Sequence, residues 1–94
     1  MPKGMKAIKS QFKIQNKLGL HARAAALFVK MANRFDADIY VAKGKKRVNG
    51  KSIMGLLMLA AGQGTKINVE ASGHDAKSAM KHLGKLVLDG FHEK

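Results

Sequence analysis

Cysteine and tryptophan are missing from this chain of 94 residues, and only 6 acidic side chains stand against 18 lysines and arginines. Without cysteine there is neither a disulfide framework nor a thiolate metal site, so a domain of this size must be held by packing alone, which suits a reducing compartment. With four phenylalanines and one tyrosine, several of them at core spacing, there are few aromatic platforms on which bases would stack. Six scattered acids do not assemble a serine-histidine-carboxylate triad. The longest apolar stretch, IMGLLMLAAG, is too short to cross a bilayer, and the opening MPKGMKAIKS holds no apolar signal segment. The expectation is one cytoplasmic domain over residues 1–94, without membrane insertion and with residues 1–6 as a flexible tail.

What the chain has in excess is positive charge, a formal +12, which biases encounters toward acidic partners of any kind. One dense run, Lys43, Lys45, Lys46 and Arg47 around Gly44, reads as a solvated hairpin turn. It is also the best foothold for a competing reading of another class, a basic nucleic-acid-binding module. The segment GKKRVNGKS falls short of a phosphate-binding P-loop, because five residues rather than four separate its glycines. His74, His82 and His92 show no metal-ligand spacing with carboxylates, so they read as surface histidines, and no metal or cofactor is expected.

Hydrophobic periodicity orders the rest. Ile8, Ser10, Phe12 and Ile14 alternate with Lys9, Gln11 and Lys13 as in a half-buried strand. After a turn at Asn16 to Gly19, Ala24, Leu27, Phe28, Met31 and Phe35 recur at spacings of three and four, predicting a helix from about Ala22 to Arg34. Ile39 and Val41 mark a second strand, turned at Lys43-Gly44-Lys45 into a third that ends near Val48. Ser52 stands as N-cap before Ile53, Met54, Leu56, Leu57 and Leu59, a short helix stopped by Gly62 and Gly64. Ile67, Val69 and Ala71 alternate as a fourth strand. Asp75, as N-cap or first-turn acid, precedes a helix with Ala76, Ala79, Met80, Leu83, Leu86 and Val87 on one face. The order β-α-β-β-α-β-α describes an α+β two-layer sandwich, one sheet with all its helices on a single face; strand order does not follow from these patterns.

The chemistry sits in LGLHARAAALFVK. The helix begins one residue after His21, so the imidazole lies beside the unpaired N–H groups of the first turn, which together with the helix dipole favour an anion. The same field disfavours imidazolium and keeps a nucleophilic nitrogen available. Arg23 adds a planar fork of donors suited to phosphate or carboxylate oxygens. Such a site can accept a phosphoryl group and stabilise it without a metal; on this chemistry alone, a polar loop histidine is the more ordinary reading.

The two segments LGLHARAAA and, about thirty residues later, NGKSIMGLLMLAAGQGTKINVEASG resemble the histidine-containing phosphocarrier (HPr) family of the bacterial phosphoenolpyruvate-dependent phosphotransferase system, over about Ile8 to Phe91. The resemblance implies an open-faced β-sandwich of four antiparallel strands under three helices. It implies a monomeric, stoichiometric carrier rather than an enzyme with its own turnover. His21 matches the histidine phosphorylated on Nδ1 by phospho-enzyme I and relieved by a IIA-type acceptor. Arg23 matches the neighbouring arginine that contacts the phosphoryl group, and Ala22 offers it a backbone N–H. Ser52 matches a serine that HPr kinase/phosphorylase modifies, and equally reads as a plain N-cap worth about 1 kcal/mol. Arg23, Ala26, Ile53, Met54 and Leu57 match partner-docking positions, an apolar patch ringed by Arg23, Lys30 and Lys51. One departure is plain: Ala24 stands where the family usually has proline. The segments NKLGLHAR and LLMLAAG and the ending DGFHEK are also similar to the nitrogen-related paralogue, NPr, so the sugar and nitrogen branches both stay open. A regulatory member that keeps Ser52 but passes no phosphate is the alternative within the family.

Overall fold

Alternating side chains make Ile8–Lys13 strand β1, and its inward residues meet those of β4 (Lys66–Ser72) in antiparallel register, Ile8 opposite Ala71 and Phe12 opposite Ile67. The computed structural model describes residues 7–93; residues 1–6, expected as a tail, and Lys94 lie outside the described residues. Strand β2 (Asp38–Lys43) pairs with β4 on one side and with β3 (Lys46–Asn49) on the other, giving one antiparallel sheet in the order β1-β4-β2-β3. Ile39, Val41, Ile67, Val69 and Ala71 are buried on one face, while Lys9, Gln11, Lys66 and Asn68 are exposed on the other. That period-two split is what confines all helices to a single side.

Three helices fill that side: α1 (Ala22–Ala32), α2 (Ile53–Met58) and α3 (Ala76–Leu88), followed by a single 3-10 turn at Gly90–His92. The predicted order of elements stands, and the fold is the α+β open-faced sandwich. Packing is close. A Cβ added at Gly84 of α3 would lie 2.7 Å from the Phe12 ring, so glycine there lets α3 settle on β1.

Three expectations need correction. Helix α1 stops at Ala32 rather than Arg34, because the N–H groups of Arg34 and Phe35 bond three residues back and tighten the chain into the turn toward β2. Its fully buried residues are Ala24, Ala25, Phe28 and Ala32, with Leu27, Met31 and Phe35 only half-buried. Small side chains and Phe28 form the inward side, where α1 packs against its neighbours α2 and α3, and the other large residues flank the contact. Helix α2 ends at Met58 and the chain turns away through Ala60, at φ of 50°, before either glycine; the Lys43 and Lys46 ammonium groups bond the Ala60 and Met58 carbonyls there.

Candidate functional site

The loop before α1 is shaped by Gly19 and Asn16. Gly19 has φ of +68°, and a Cβ on it would meet the Ala61 carbonyl oxygen at 2.6 Å, so this approach of the loop to the α2–β4 connection requires glycine. Leu20, buried, donates its N–H to the Ala61 carbonyl at 2.8 Å, and the Asn16 side-chain amide donates to the Gly19 carbonyl at 2.7 Å. The loop is therefore fixed when it delivers His21 to the N-cap of α1.

His21 has the extended backbone of an N-cap, but its side chain caps nothing. The first-turn N–H groups are left open, with no acid in the turn to use them. Ala22 and Arg23 are exposed beside the ring, and Arg23 makes no side-chain hydrogen bond among the described residues. Ala24, Ala25 and Phe28, all fully buried, anchor the same turn from behind. His21 and Arg23 line an open cleft together with Leu27, Gly90 and Glu93.

The sequence patterns missed two members of this site, Glu93 and the buried Asn16. The chain leaves α3 through Gly90, Phe91 and His92, all at positive φ, and returns Glu93 to the start of α1. There the Glu93 carboxylate accepts from His21 Nε2 through one oxygen and from the Asn16 amide, at 3.1 Å, through the other. The hydrogen bond from His21, more than that from Asn16, holds the Glu93 carboxyl below the ordinary carboxylate range. No local motif joins residue 93 to residue 21. The legible signals were Gly90 as a helix stop and Phe91 as an apolar anchor, which is buried.

The second predicted feature is on α2, which packs against α1 with its start toward the end of α1: Leu20, before α1, bonds Ala61 after α2, and Lys51, before α2, bonds Phe35 after α1. Ser52 is the N-cap of α2, and its hydroxyl oxygen accepts the Gly55 N–H at 3.0 Å. On the outward side of α2, Met54 and Ile53 are exposed, at 71% and 41%, and on α1 Ala26 and Arg23 are exposed. Leu57 is half-buried against the core and offers only one side to that face. Lys30 is exposed as expected, but Lys51 is not a free rim charge: its ammonium group donates to the Phe35 carbonyl at 2.8 Å.

Other sequence readings are relocated. Of the dense basic run, Lys43 and Lys46 are tied to carbonyls at the end of α2. Arg47 stacks on Tyr40, 3.8 Å from the ring centre, and pairs with Glu70 at 3.1 Å. A hairpin turn with φ of +60° at Gly44 is what the run forms, and three of its four cations are engaged within the chain, which weakens the nucleic-acid reading. Asp75 stands at the N-cap position of α3 but does not cap it. Its two oxygens accept the N–H groups of Asp36 and Ala37, each at 2.9 Å, clasping the α1–β2 loop to the start of α3. Those bonds, led by the one from Asp36, lower the Asp75 carboxyl. The expectation that His74 has no carboxylate neighbours is corrected: His74, Asp36 and Asp75 bring three ligand atoms within 4.8 Å of one another. Spacing could not show this, because Asp36 arrives from 38 positions away. With His74 bonded to Asp36 at 3.0 Å and both Asp75 oxygens engaged by backbone, the group reads as an exposed clasp.

Comparison with known proteins follows the same lines. Residues 8–89 match the family described as the PTS HPr component phosphorylation site. The chain is 49% identical over 86 residues to phosphocarrier protein HPr of Neisseria meningitidis, covering 92% of this chain and 97% of that one. It is 44% identical over 82 residues to the HPr-like protein Crh of Bacillus subtilis, covering 87% and 96%. The crystal structure of HPr-C-His from Thermoanaerobacter tengcongensis superposes with a TM-score of 0.89 at 44% identity, over 93% of this chain and 98% of that one. Among the described residues, no helix is long and apolar enough to cross a membrane.

Proposed function

This chain belongs to the HPr family, and from that premise we propose that it is a cytoplasmic phosphocarrier which takes a phosphoryl group from phospho-enzyme I on His21 and gives it to a IIA-type acceptor. The observation that carries the reading is the start of α1: an imidazole at an N-cap that does no capping, open first-turn N–H groups, and an unbonded Arg23 beside them. Because Nε2 is held by Glu93, Nδ1 is the nitrogen with a lone pair to offer. Its pair forms the new P–N bond while the P–N bond of the donor histidine breaks, and the donor nitrogen keeps the electrons of that bond. Arg23 and the Ala22 N–H meet the phosphoryl oxygens as charge shifts onto them. The reverse sequence passes the group on, so the chain is consumed and regenerated as a carrier, without turnover of its own.

Partners dock on the face shared by α1 and α2. Met54, Ile53, Ala26 and one side of Leu57 supply apolar contact, and Arg23 and Lys30 steer acidic surfaces toward it. A monomer presents this face whole. Ser52 lies on its edge, where HPr kinase/phosphorylase would modify it; phosphate oxygens can accept the Gly55 N–H that the hydroxyl now takes, so α2 survives while the new charge repels acidic partners.

The test is intact-protein mass spectrometry after incubation with phosphoenolpyruvate, Mg²⁺ and enzyme I, with His21→Ala alongside. One acid-labile phosphoryl adduct on the wild type and none on the variant is the expected result. The likeness to Crh favours one second reading, a regulatory protein that is phosphorylated on Ser52 and does not relay. An inert His21 beside a functioning enzyme I, with Ser52 still modified by the kinase, would select it.

A further inference from the structure

We propose that Glu93 is a positioning residue for His21: its carboxylate takes the Nε2–H, fixes the tautomer, and leaves Nδ1 as the single nucleophilic nitrogen. The proposal rests on the carrier reading for its purpose and on geometry for its content.

The placement of Glu93 is built by several residues. Gly90 turns the chain out of α3 with φ of +67°, and Phe91 and His92 follow at 55° and 63°, a left-handed pair that non-glycine residues rarely adopt. Burial of Phe91, 1% exposed, holds the turn, and the Glu93 N–H closes it on the Gly90 carbonyl at 3.0 Å. Asn16 then sets the register. Its amide orientation is fixed because both of its partners, the Gly19 carbonyl and the Glu93 carboxylate, are acceptors and require Nδ2. One buried side chain thus ties together the loop that carries the imidazole and the carboxylate that meets it.

The chemistry follows from which nitrogen is occupied. A carboxylate accepts only, so the nitrogen facing it carries the proton, and in a neutral ring the other nitrogen carries the lone pair. When the Nδ1 pair bonds to phosphorus and the donor P–N bond breaks, positive charge spreads through the ring to Nε2–H, beside the carboxylate. An acid that orients a histidine in a nucleophilic triad acts in the same way, without itself taking the proton. The other charged groups along this cleft are Arg23, Lys17, Asp89 and His92.

The test has an arm that needs no phosphoryl transfer. Nitrogen-15 spectra of the unphosphorylated protein should show His21 with pyrrole-like Nε2 and pyridine-like Nδ1, and Glu93→Ala should let the Nδ1–H form appear. The Glu93 carboxyl carbon should titrate below the ordinary carboxylate range and move upward in His21→Ala. Because the folded pKa is the lower one, the contact stabilises the fold above the unfolded value and is lost as pH falls through the folded value. In the second arm, single-turnover transfer from phospho-enzyme I should slow about tenfold in Glu93→Ala with affinity for enzyme I unchanged. Glu93→Gln, which can still accept the Nε2–H, should keep the tautomer and recover part of the rate. A single Nε2–H tautomer persisting in Glu93→Ala, or a rate loss that lies entirely in affinity for enzyme I, would overturn the proposal. A wild type that accepts no phosphoryl group would end the carrier reading, and the tautomer and titration would still decide the role of Glu93.

Discussion

The starts of α1 and α2 are alike in form and are used differently. Helix α1 opens on His21 and α2 on Ser52, both extended N-caps with no acid in the following turn. At α2 the cap side chain accepts a backbone N–H; at α1 the cap side chain turns away to Glu93, and the donors stay open. The difference in what holds each helix explains how this is sustained. Helix α1 has eleven residues and four fully buried side chains, so it needs no cap, whereas α2 has six residues and buries only Leu56. A helix secured by packing can leave its start free for a ligand, and one that is not uses its start for stability. In the proposed carrier, phosphate on His21 would meet donors that are open, while phosphate on Ser52 would replace a hydrogen bond already made.

The largest effect that would break this contrast is expected at Arg23. Replacing it with alanine should slow phosphoryl transfer about a hundredfold, the range for removing one donor to developing charge, with thermal unfolding unchanged because the side chain is exposed and unbonded within the chain. Rapid-quench measurement with phospho-enzyme I gives the rate, and Arg23→Lys should recover only part of it, since a point charge does not reproduce the fork. An unaltered rate in Arg23→Ala would mean that the open N–H groups suffice. The opposite signature belongs to Ser52→Ala. It should lose about 1 kcal/mol in urea unfolding while transfer through His21 stays within about twofold. Unchanged stability would remove the distinction between a start used for capping and one kept open.

Which of these features could be read from the sequence divides along the range of the interactions. Strand alternation, helix periodicity and the N-cap position of Ser52 are local, and His21 and Arg23 flank the single residue Ala22, so their shared helix start was legible from spacing. The Asp75 clasp, the engagement of Lys43, Lys46 and Lys51 with carbonyls, and the seat of Glu93 depend on segments that meet only after folding, from 12 positions apart for Lys46 with Met58 to 77 for Asn16 with Glu93. The burial pattern of α1 shows an intermediate case. Its apolar stripe was visible, but which members go fully inside depended on how α1 packs against α2 and α3, and three alanines join Phe28 there while Leu27 and Met31 stay half-buried. The basic run was legible as a hairpin turn, but not that Lys43, Lys46 and Arg47 find partners within the chain; a run of cations signals a polyanion site only while the cations are free.

The finest test of the α1 start is Ala24→Pro. Ala24 is the third residue of the helix, where no preceding turn offers its N–H a carbonyl, so proline would forfeit no hydrogen bond. Reduced freedom of the unfolded chain should add about 0.4–1 kcal/mol. Two effects oppose it: proline disfavours the helical backbone of Arg23 before it, and the ring carbons must enter a position that is 0% exposed. The balance should leave stability within about 0.5 kcal/mol of the wild type by urea unfolding, with transfer within about twofold, since neither His21 nor Glu93 is moved. A loss above ~1 kcal/mol would show that the core behind α1 has closed around alanine. In that event the open donors of this start depend on the fit of Ala24 itself, and the packing that frees α1 from needing a cap would be tighter and more local than the buried Phe28 alone provides.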